Sequence, residues 1–165
     1  MGPGASIHYA ELHCVSNFTF LRGASHPEEL CQQAAELGYR ALALTDECSV
    51  AGLVRAHLAA RDLSLQLIAG SEFQLQDGLR CVLLAASRRG YGQLCELITQ
   101  ARRAAPKGNY QLERAALVED LEHCLAIWLP GDAPSLEDAR WIARQFPGRS
   151  WLGVEVLAGS DDAAR

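Results

Sequence analysis

Short apolar runs alternate with amphipathic stretches along almost the whole chain. The apolar runs predict six β-strands, at residues 7–15, 41–45, 67–75, 81–86, 124–129 and 151–157. The stretches between them carry apolar residues at helical spacing and predict about five helices, at residues 27–37, 50–61, 92–103, 112–121 and 135–145. Strands that alternate with helices indicate an α/β fold of right-handed βαβ units with a largely parallel sheet.

Local signals mark where several of these elements begin and end. Ser25 and Glu28 have the spacing of a capping box and predict the start of the first helix, and Gly38 is placed just past its end. The Asp77-Gly78 pair lies between two apolar runs, which is a hairpin signal. One strand pair is therefore expected to be antiparallel.

Composition and charge limit the functional classes. The chain has 165 residues, of which 49% are hydrophobic and 21% charged, so it can bury one sizeable core. Its formal net charge of -5 argues against a surface that follows a phosphate backbone, and any contact with nucleic acid should be local or indirect. No apolar stretch is long enough to span a bilayer, and residues 1–6 are expected to be a flexible leader.

Cysteine usage indicates the compartment. The six cysteines lack the paired C-x-x-C spacing of zinc sites, and most lie in apolar runs. We expect them to be reduced, mostly buried thiols of a cytoplasmic protein. They are Cys14, Cys31, Cys48, Cys81, Cys95 and Cys124.

Candidate chemistry lies where strands end, because ligands of parallel α/β folds gather at the carboxyl ends of strands. A histidine and several carboxylates converging there would suit a Mn or Zn phosphoesterase. The histidine and carboxylates at these strand ends are His13, Asp46, Glu47 and Glu72, and the fourth strand begins at Arg80.

The same side chains also have purely structural interpretations. His13 could donate a hydrogen bond to a backbone carbonyl, and Asp46 could cap a helix that begins near Ser49. Glu72 could simply pair with Arg80. Spacing alone leaves these alternatives open.

Five ordered segments resemble the opening of the PHP domain of C-family bacterial DNA polymerases, and are most similar to the error-prone members of that family. The segments are residues 9–25, 41–52, 68–73, 82–85 and 90–94. The resemblance implies a distorted (β/α)7 barrel, of which residues 7–165 would form the N-terminal part. It also implies that the polymerase's catalytic residues and its Mg lie in other domains, so that this fragment alone is not catalytic and needs no cofactor.

The chain departs from the family's metal-binding pattern. The Leu-His-x-His-Ser motif reads Leu12-His13-Cys14-Val15-Ser16, the Thr-Asp-His motif ends in Glu47, and Arg80 stands where a histidine is usual, whereas Glu72 is retained. Val15 has no lone pair, while Glu47 could still bind a hard cation. Arg80 offers only donors and would repel a divalent ion. We therefore treat His13, Val15, Asp46, Glu47, Glu72 and Arg80 as a degenerate metal pocket.

These substitutions suggest a hypothesis for the pocket. Arg80 would replace the positive charge of the metal and neutralise Asp46, Glu47 and Glu72, since burying three acids without a cation is costly. The domain would then be a metal-free scaffold of an error-prone polymerase that acts in damage-induced mutagenesis and translesion synthesis.

Two other functions stay open from the sequence. One is a PHP phosphoesterase that hydrolyses phosphodiesters or pyrophosphate with His13, Asp46 and Glu72, and the other is an interaction module unrelated to replication. The polymerase resemblance implies as partners the remaining polymerase domains, DNA through the parent protein, the sliding clamp and mutagenesis accessory proteins. No membrane partner is expected.

Two further groups of side chains have candidate roles. A basic stretch could contact template DNA or another polymerase domain, although a solvated face is the favoured interpretation; it comprises Arg88, Arg89, Arg102, Arg103 and Lys107. The tryptophans lie in or beside apolar runs and are expected in the core; they are Trp128, Trp141 and Trp151.

Overall fold

Six strands form one curled sheet in the computed structural model, which describes residues 9–118, 121–131 and 134–154. The strand order follows the chain: β1 (Ala10–Cys14), β2 (Ala41–Leu44), β3 (Gln66–Gln74), β4 (Arg80–Ala85), β5 (Cys124–Leu129) and β6 (Ser150–Leu152). The helices are α1 (Pro27–Glu36), α2 (Leu53–Asp62), α3 (Arg88–Arg103) and α4 (Leu136–Gln145), with a 3-10 turn at Arg114–Leu117. The predicted α/β partial barrel is confirmed.

The strand directions match the predicted parallel units except around β4. β1, β2 and β3 are parallel neighbours, and β5 and β6 are parallel. The predicted hairpin is confirmed, because β3 and β4 are antiparallel and Gly78 takes a positive φ of 92° in the connecting turn. The hairpin reverses β4 and makes it antiparallel to β5 as well, so two neighbouring strand pairs are antiparallel where one was expected.

Apolar side chains cover both faces of the central strands, which explains the continuous apolar runs in the sequence. On β4, Cys81 and Leu83 pack outward against α3, while Val82 and Leu84 face inward with Ile127. A separate cluster packs α1 and α2 on β2. The inner face borders an open cavity of about 1010 Å³ that reaches from β1 to β6.

Several helix boundaries differ from the predictions, including the start of α2, which is at Leu53 and not at residue 50. The N-cap of α1 is His26, one residue later than the predicted Ser25, and the Glu29 carboxylate accepts a hydrogen bond from the His26 N–H at 2.7 Å. Helix α3 begins before the predicted start at residue 92, because Ser87 caps it by accepting from the Gly90 N–H. Gly38 follows α1 with a φ of 75°, as predicted.

The helix predicted at residues 112–121 is wrong. Among the residues of this range that the structure describes, 112–118 and 121, the helical segment is Arg114–Leu117, a 3-10 turn. The Leu112 carbonyl accepts from the Gln76 N–H at 3.0 Å, so this segment is tied to the hairpin loop instead of forming its own helical ladder. The apolar spacing reflects the burial of Leu112 and Leu117 in the outer core.

The two ends of the sheet are shorter than predicted within the described residues. The first strand is described from Ala10, and the predicted start at residue 7 and the leader at 1–6 lie outside the described residues. β6 ends at Leu152, and the predicted continuation from residue 155 is likewise outside them. Trp151 is 53% exposed on this edge strand, so its predicted place in the core is wrong, whereas Trp128 is buried and Trp141 packs against the core.

The cysteines are free thiols, as expected. Four of them are buried, and burial raises the pKa of Cys81 to about 12, which keeps this thiol protonated and unreactive. Among the residues that the structure describes, no helix has the length and apolar character needed to cross a membrane.

Candidate functional site

The candidate site lies where the first three strands end. His13 is on β1, Asp46 and Glu47 follow β2, and Glu72 is on β3. An isolated parallel bridge pairs Glu47 with Glu72, and the Cys48 N–H donates to the Glu72 carbonyl at 2.8 Å. The sheet therefore brings together these four predicted residues.

Glu72 is the centre of the cluster. Its side chain is 1% exposed and accepts hydrogen bonds from three side chains. One carboxylate oxygen, Oε2, binds His13 Nε2 at 2.9 Å and Arg22 Nη2 at 2.8 Å. The other, Oε1, binds Arg80 Nη2 at 2.9 Å and Nε at 3.3 Å. Both oxygens are thus occupied by nitrogen donors.

These contacts decide the ionisation of Glu72. Burial by itself would raise the pKa of the carboxyl, but hydrogen bonds from His13, Arg22 and Arg80 outweigh it and lower the pKa to about 2. The hydrogen bond to Glu72 likewise raises the pKa of the Arg22 guanidinium. Glu72 is therefore a buried carboxylate at neutral pH, and His13 Nε2 is the donor in their shared hydrogen bond.

Acidification should therefore weaken the domain. Because the folded-state pKa of Glu72 is depressed, its contribution to stability is complete above its ordinary value near 4.5 and is lost as the pH falls towards about 2. The difference corresponds to about 3 kcal/mol. Urea midpoints measured between about pH 6 and pH 2 should show this fall. A Glu72→Gln variant should lack that component, and an unchanged pH profile in the variant would contradict the assignment.

Asp46 holds the loop that follows β1. Its Oδ1 accepts from the Ser16 N–H at 2.8 Å and from Thr19 Oγ1 at 2.7 Å, and its Oδ2 accepts from Ser16 Oγ at 2.7 Å. Helix α2 begins only at Leu53. Asp46 therefore acts differently from the suggested helix cap. It anchors the β1–α1 loop by accepting hydrogen bonds from neutral donors.

Arg22 is a site residue that the spacing argument missed. Its Nη1 donates to Glu47 Oε2 at 2.7 Å while its Nη2 binds Glu72, so one guanidinium bridges two acids. Arg22 lies within the segment 9–25 that carries the resemblance, but it follows no strand. It reaches the site because the loop folds back at Gly23, where a Cβ would lie 1.9 Å from the Ser16 carbonyl oxygen.

A second set of contacts fixes Glu47 from the side of α3. Tyr110 donates its hydroxyl to Glu47 Oε1 at 2.8 Å and accepts from the Gln74 N–H. Arg102 donates to the carbonyls of Glu47 and Cys48 at 3.2 and 3.1 Å and lies over the Tyr110 ring. These contacts hold the Cys48 backbone at a φ of 44°.

Arg102 differs from the other members of the basic stretch. It stabilises the site through its contacts with the Glu47 and Cys48 carbonyls, so the favoured interpretation as a solvated residue does not hold for it. The other members are exposed: Arg88, Arg89, Arg103 and Lys107.

The hypothesis that Arg80 neutralises all three acids needs a correction. Arg80 forms its ion pair with Glu72, as the sequence suggested. The cationic partner of Glu47 is Arg22, and Asp46 is held by hydroxyl and backbone donors. The three acids are therefore satisfied by different donors, although Asp46 and Glu47 both follow β2.

The residues at these positions do not fit a divalent metal. Val15 is a half-buried aliphatic side chain without a lone pair. The carboxylate oxygens of Glu72 already accept from guanidinium groups and His13, and a cation placed there would be repelled by Arg22 and Arg80. Over the described ranges, no group of three or more His, Cys, Asp or Glu side chains is arranged to hold a metal ion.

Solved structures share this fold. A protein described as a metal-dependent phosphoesterase from Bifidobacterium adolescentis superposes with a TM-score of 0.69 over 88% of this chain and 77% of its own, at 13% identity. A two-domain Bacteroides vulgatus protein with a PHP-like phosphoesterase domain has a TM-score of 0.56 at 19% identity, over 79% of this chain and 40% of its own. The fold is thus that of PHP-like barrel proteins. The chain belongs to the PHP domain family, whose model matches residues 11–135.

Several relatives of this chain are error-prone DNA polymerases. The polymerase of Methylococcus capsulatus is 58% identical over 100% of this chain, and those of Dechloromonas aromatica and Pseudomonas aeruginosa are each 57% identical over 95% of it. The chain spans only 16%, 16% and 15% of these relatives' lengths. The resemblance found in the sequence is confirmed.

Proposed function

We propose that this chain is the N-terminal PHP domain, residues 7–165 being its first part, of an error-prone DNA polymerase that acts in damage-induced mutagenesis and translesion synthesis. Within that polymerase it is a metal-free scaffold. One observation carries the scaffold role: Glu72, at a retained ligand position, is enclosed by His13, Arg22 and Arg80. The relatives' names support the polymerase.

The guanidinium groups of Arg22 and Arg80 neutralise the buried Glu72 carboxylate, as a metal ion would, but do not supply a metal's catalytic chemistry. A buried carboxylate is tolerated only when charge and hydrogen bonds compensate its lost hydration, and two arginines supply both. Arg22 joins the β1–α1 loop to Glu47 and Glu72, while Arg80 joins β4 to β3. Metal-dependent hydrolysis first needs ligands that bind the metal, and both carboxylate oxygens of Glu72 already accept hydrogen bonds from His13, Arg22 and Arg80.

Other parts of the polymerase carry the chemistry and most of the partner contacts. Nucleotide transfer and its Mg belong to the polymerase core, and this domain alone is not catalytic. DNA is bound through the parent protein, which agrees with the net charge of -5 on this chain. The remaining polymerase domains, the sliding clamp and mutagenesis accessory proteins are the proposed partners, in the cytoplasm.

Replacing Arg80 by Ala should test the scaffold. The change leaves Glu72 with one fewer cation, and we expect a loss of about 2 kcal/mol, seen as a lower melting temperature. Arg61→Ala is the matched control, because Arg61 is exposed and pairs only loosely with Asp62 at 3.5 Å. Equal melting temperatures for the two variants would contradict the role of Arg80.

Metal analysis separates the scaffold from a phosphoesterase. Purified full-length polymerase should contain far less than one equivalent of Mn, Zn or Fe attributable to this domain. The wild type and a His13→Ala variant should extend a primer alike and show no metal-dependent hydrolysis of phosphodiesters or pyrophosphate. Stoichiometric metal together with hydrolysis that His13→Ala abolishes would favour the phosphoesterase.

A further inference from the structure

The loop between β1 and α1 presents three large apolar side chains to solvent. Phe20 and Leu21 are 84% and 89% exposed, and Phe18 is 41% exposed. We call these three residues the apolar tip. They lie beside Arg22, so the tip stands directly next to the charged cluster around Glu72.

The tip is held in one conformation by contacts beneath it. Backbone hydrogen bonds run from Thr19 N to the Ser16 carbonyl at 2.9 Å and from Arg22 N to the Thr19 carbonyl at 3.1 Å. Leu21 has a φ of 65°, a left-handed conformation that is unfavourable for leucine. The backbone is therefore fixed in a turn that points its apolar residues outward.

The charged cluster fastens this turn to the barrel. Asp46 binds Ser16 and Thr19, and Arg22 binds Glu47 and Glu72. Phe20 and Leu21 cannot turn into the core unless these contacts break. A rigid apolar projection loses little conformational entropy when it binds, which favours docking.

We propose that the apolar tip inserts into an apolar pocket on another domain of the same polymerase chain. This inference rests on the proposed function. The relatives are about six times as long as this chain, which spans 16% of them, so most of the polymerase is available to pack on this domain. Tethering in one chain gives a high effective concentration, so even a small patch can dock.

Other occupants fit the tip less well. A stable interface between separate molecules needs roughly 20 to 30 residues on each side, and the tip has only three side chains. Nucleic acid would require free cationic groups, but Arg22 is engaged by Glu47 and Glu72. An apolar pocket supplied in cis matches both the size and the chemistry of the tip.

Hydroxyl-radical footprinting of the full-length polymerase tests this docking directly. Phe73 is fully buried and provides the internal reference for a protected phenylalanine. We expect Phe20 to be labelled as slowly as Phe73. Labelling of Phe20 at the rate of a free, exposed phenylalanine would overturn the inference. Protection that disappears on dilution would also overturn it, by assigning the tip to a second copy.

The same sample distinguishes this inference from the proposed function. Primer extension with fast labelling of Phe20 would reject the docking alone. Absence of primer extension with a protected Phe20 would reject the polymerase assignment and leave supported only that another part of the same chain covers the apolar tip.

A double variant provides the second test. Phe20→Ser with Leu21→Asn removes the apolar surface, and asparagine tolerates the positive φ at residue 21. Val54→Ser with Leu58→Ser is the matched control, since these α2 residues are 69% and 52% exposed. Only the tip variant should lower the melting temperature of the full-length protein and increase amide exchange in a second domain. Equal behaviour of both variants would overturn the proposal.

Discussion

Replacing Glu72 by Gln is expected to lower the free energy of unfolding by about 3 kcal/mol or more. The side chain keeps its shape, but His13, Arg22 and Arg80 lose the carboxylate that they surround. Two guanidinium groups are then left close together without their shared counter-ion. Equilibrium urea unfolding of the domain would measure the loss.

The matched control for this change is Asp62→Asn. It also converts an acid of an ion pair to its amide, but Asp62 is exposed and its contact with Arg61 is long, at 3.5 Å. Exposed pairs of this kind contribute little to stability. If Glu72→Gln were no more destabilising than Asp62→Asn, the cluster would not be holding the strand ends together.

Two glycines of α3 should respond in opposite directions to the same substitution. A Cβ on Gly90 would lie 2.1 Å from the His123 carbonyl oxygen, whereas a Cβ on Gly92 has nothing within 4 Å. We expect Gly90→Ala to destabilise the domain by about 3 kcal/mol, because backbone must move to relieve the clash. Gly92→Ala should stabilise it by about 0.5–1 kcal/mol through the usual advantage of alanine in a helix.

A comparison of Gly90→Ala with Gly92→Ala tests the packing of α3 against the segment before β5. Thermal or urea unfolding of both variants under the same conditions gives the comparison. Because each change adds one methyl group to the same helix, intrinsic helix propensity is the same for both. Stabilisation by both substitutions would show that α3 lies farther from His123 than the structure has it.

The β-strands and most helices could be predicted because their signals are local. A run such as Ala41–Leu44 is buried on both faces, and Ser135 caps α4 by accepting from the Asp138 N–H. The segment after Leu112 misled the prediction because apolar spacing reports burial and not hydrogen bonding. Trp151 also misled the prediction. It lies on β6, the last strand in the order of the described sheet, and its side chain is exposed there.

The candidate site was predicted only in part. His13, Asp46, Glu47 and Glu72 lie near the carboxyl ends of parallel strands or just past them, so their meeting follows from the parallel arrangement. The loop conformation, by contrast, determines which donor binds Asp46 and Glu47. Nothing in the spacing indicates that Ser16 and Thr19 satisfy Asp46, since that contact requires the β1–α1 loop to fold back onto the end of β2.

The amino-acid sequence by itself determined the family, the alternation of strands and helices and the presence of side chains unsuited to bind a cation at Val15 and Arg80, because these depend on residue identity and short-range periodicity. Only the tertiary structure decided that Arg22 joins Arg80 in enclosing Glu72. It also decided that Arg102 supports Glu47 from α3. The contacts of Arg22 with Glu72 and of Arg102 with Glu47 join residues 50 and 55 positions apart, and only the packed fold brings such distant groups within hydrogen-bonding distance.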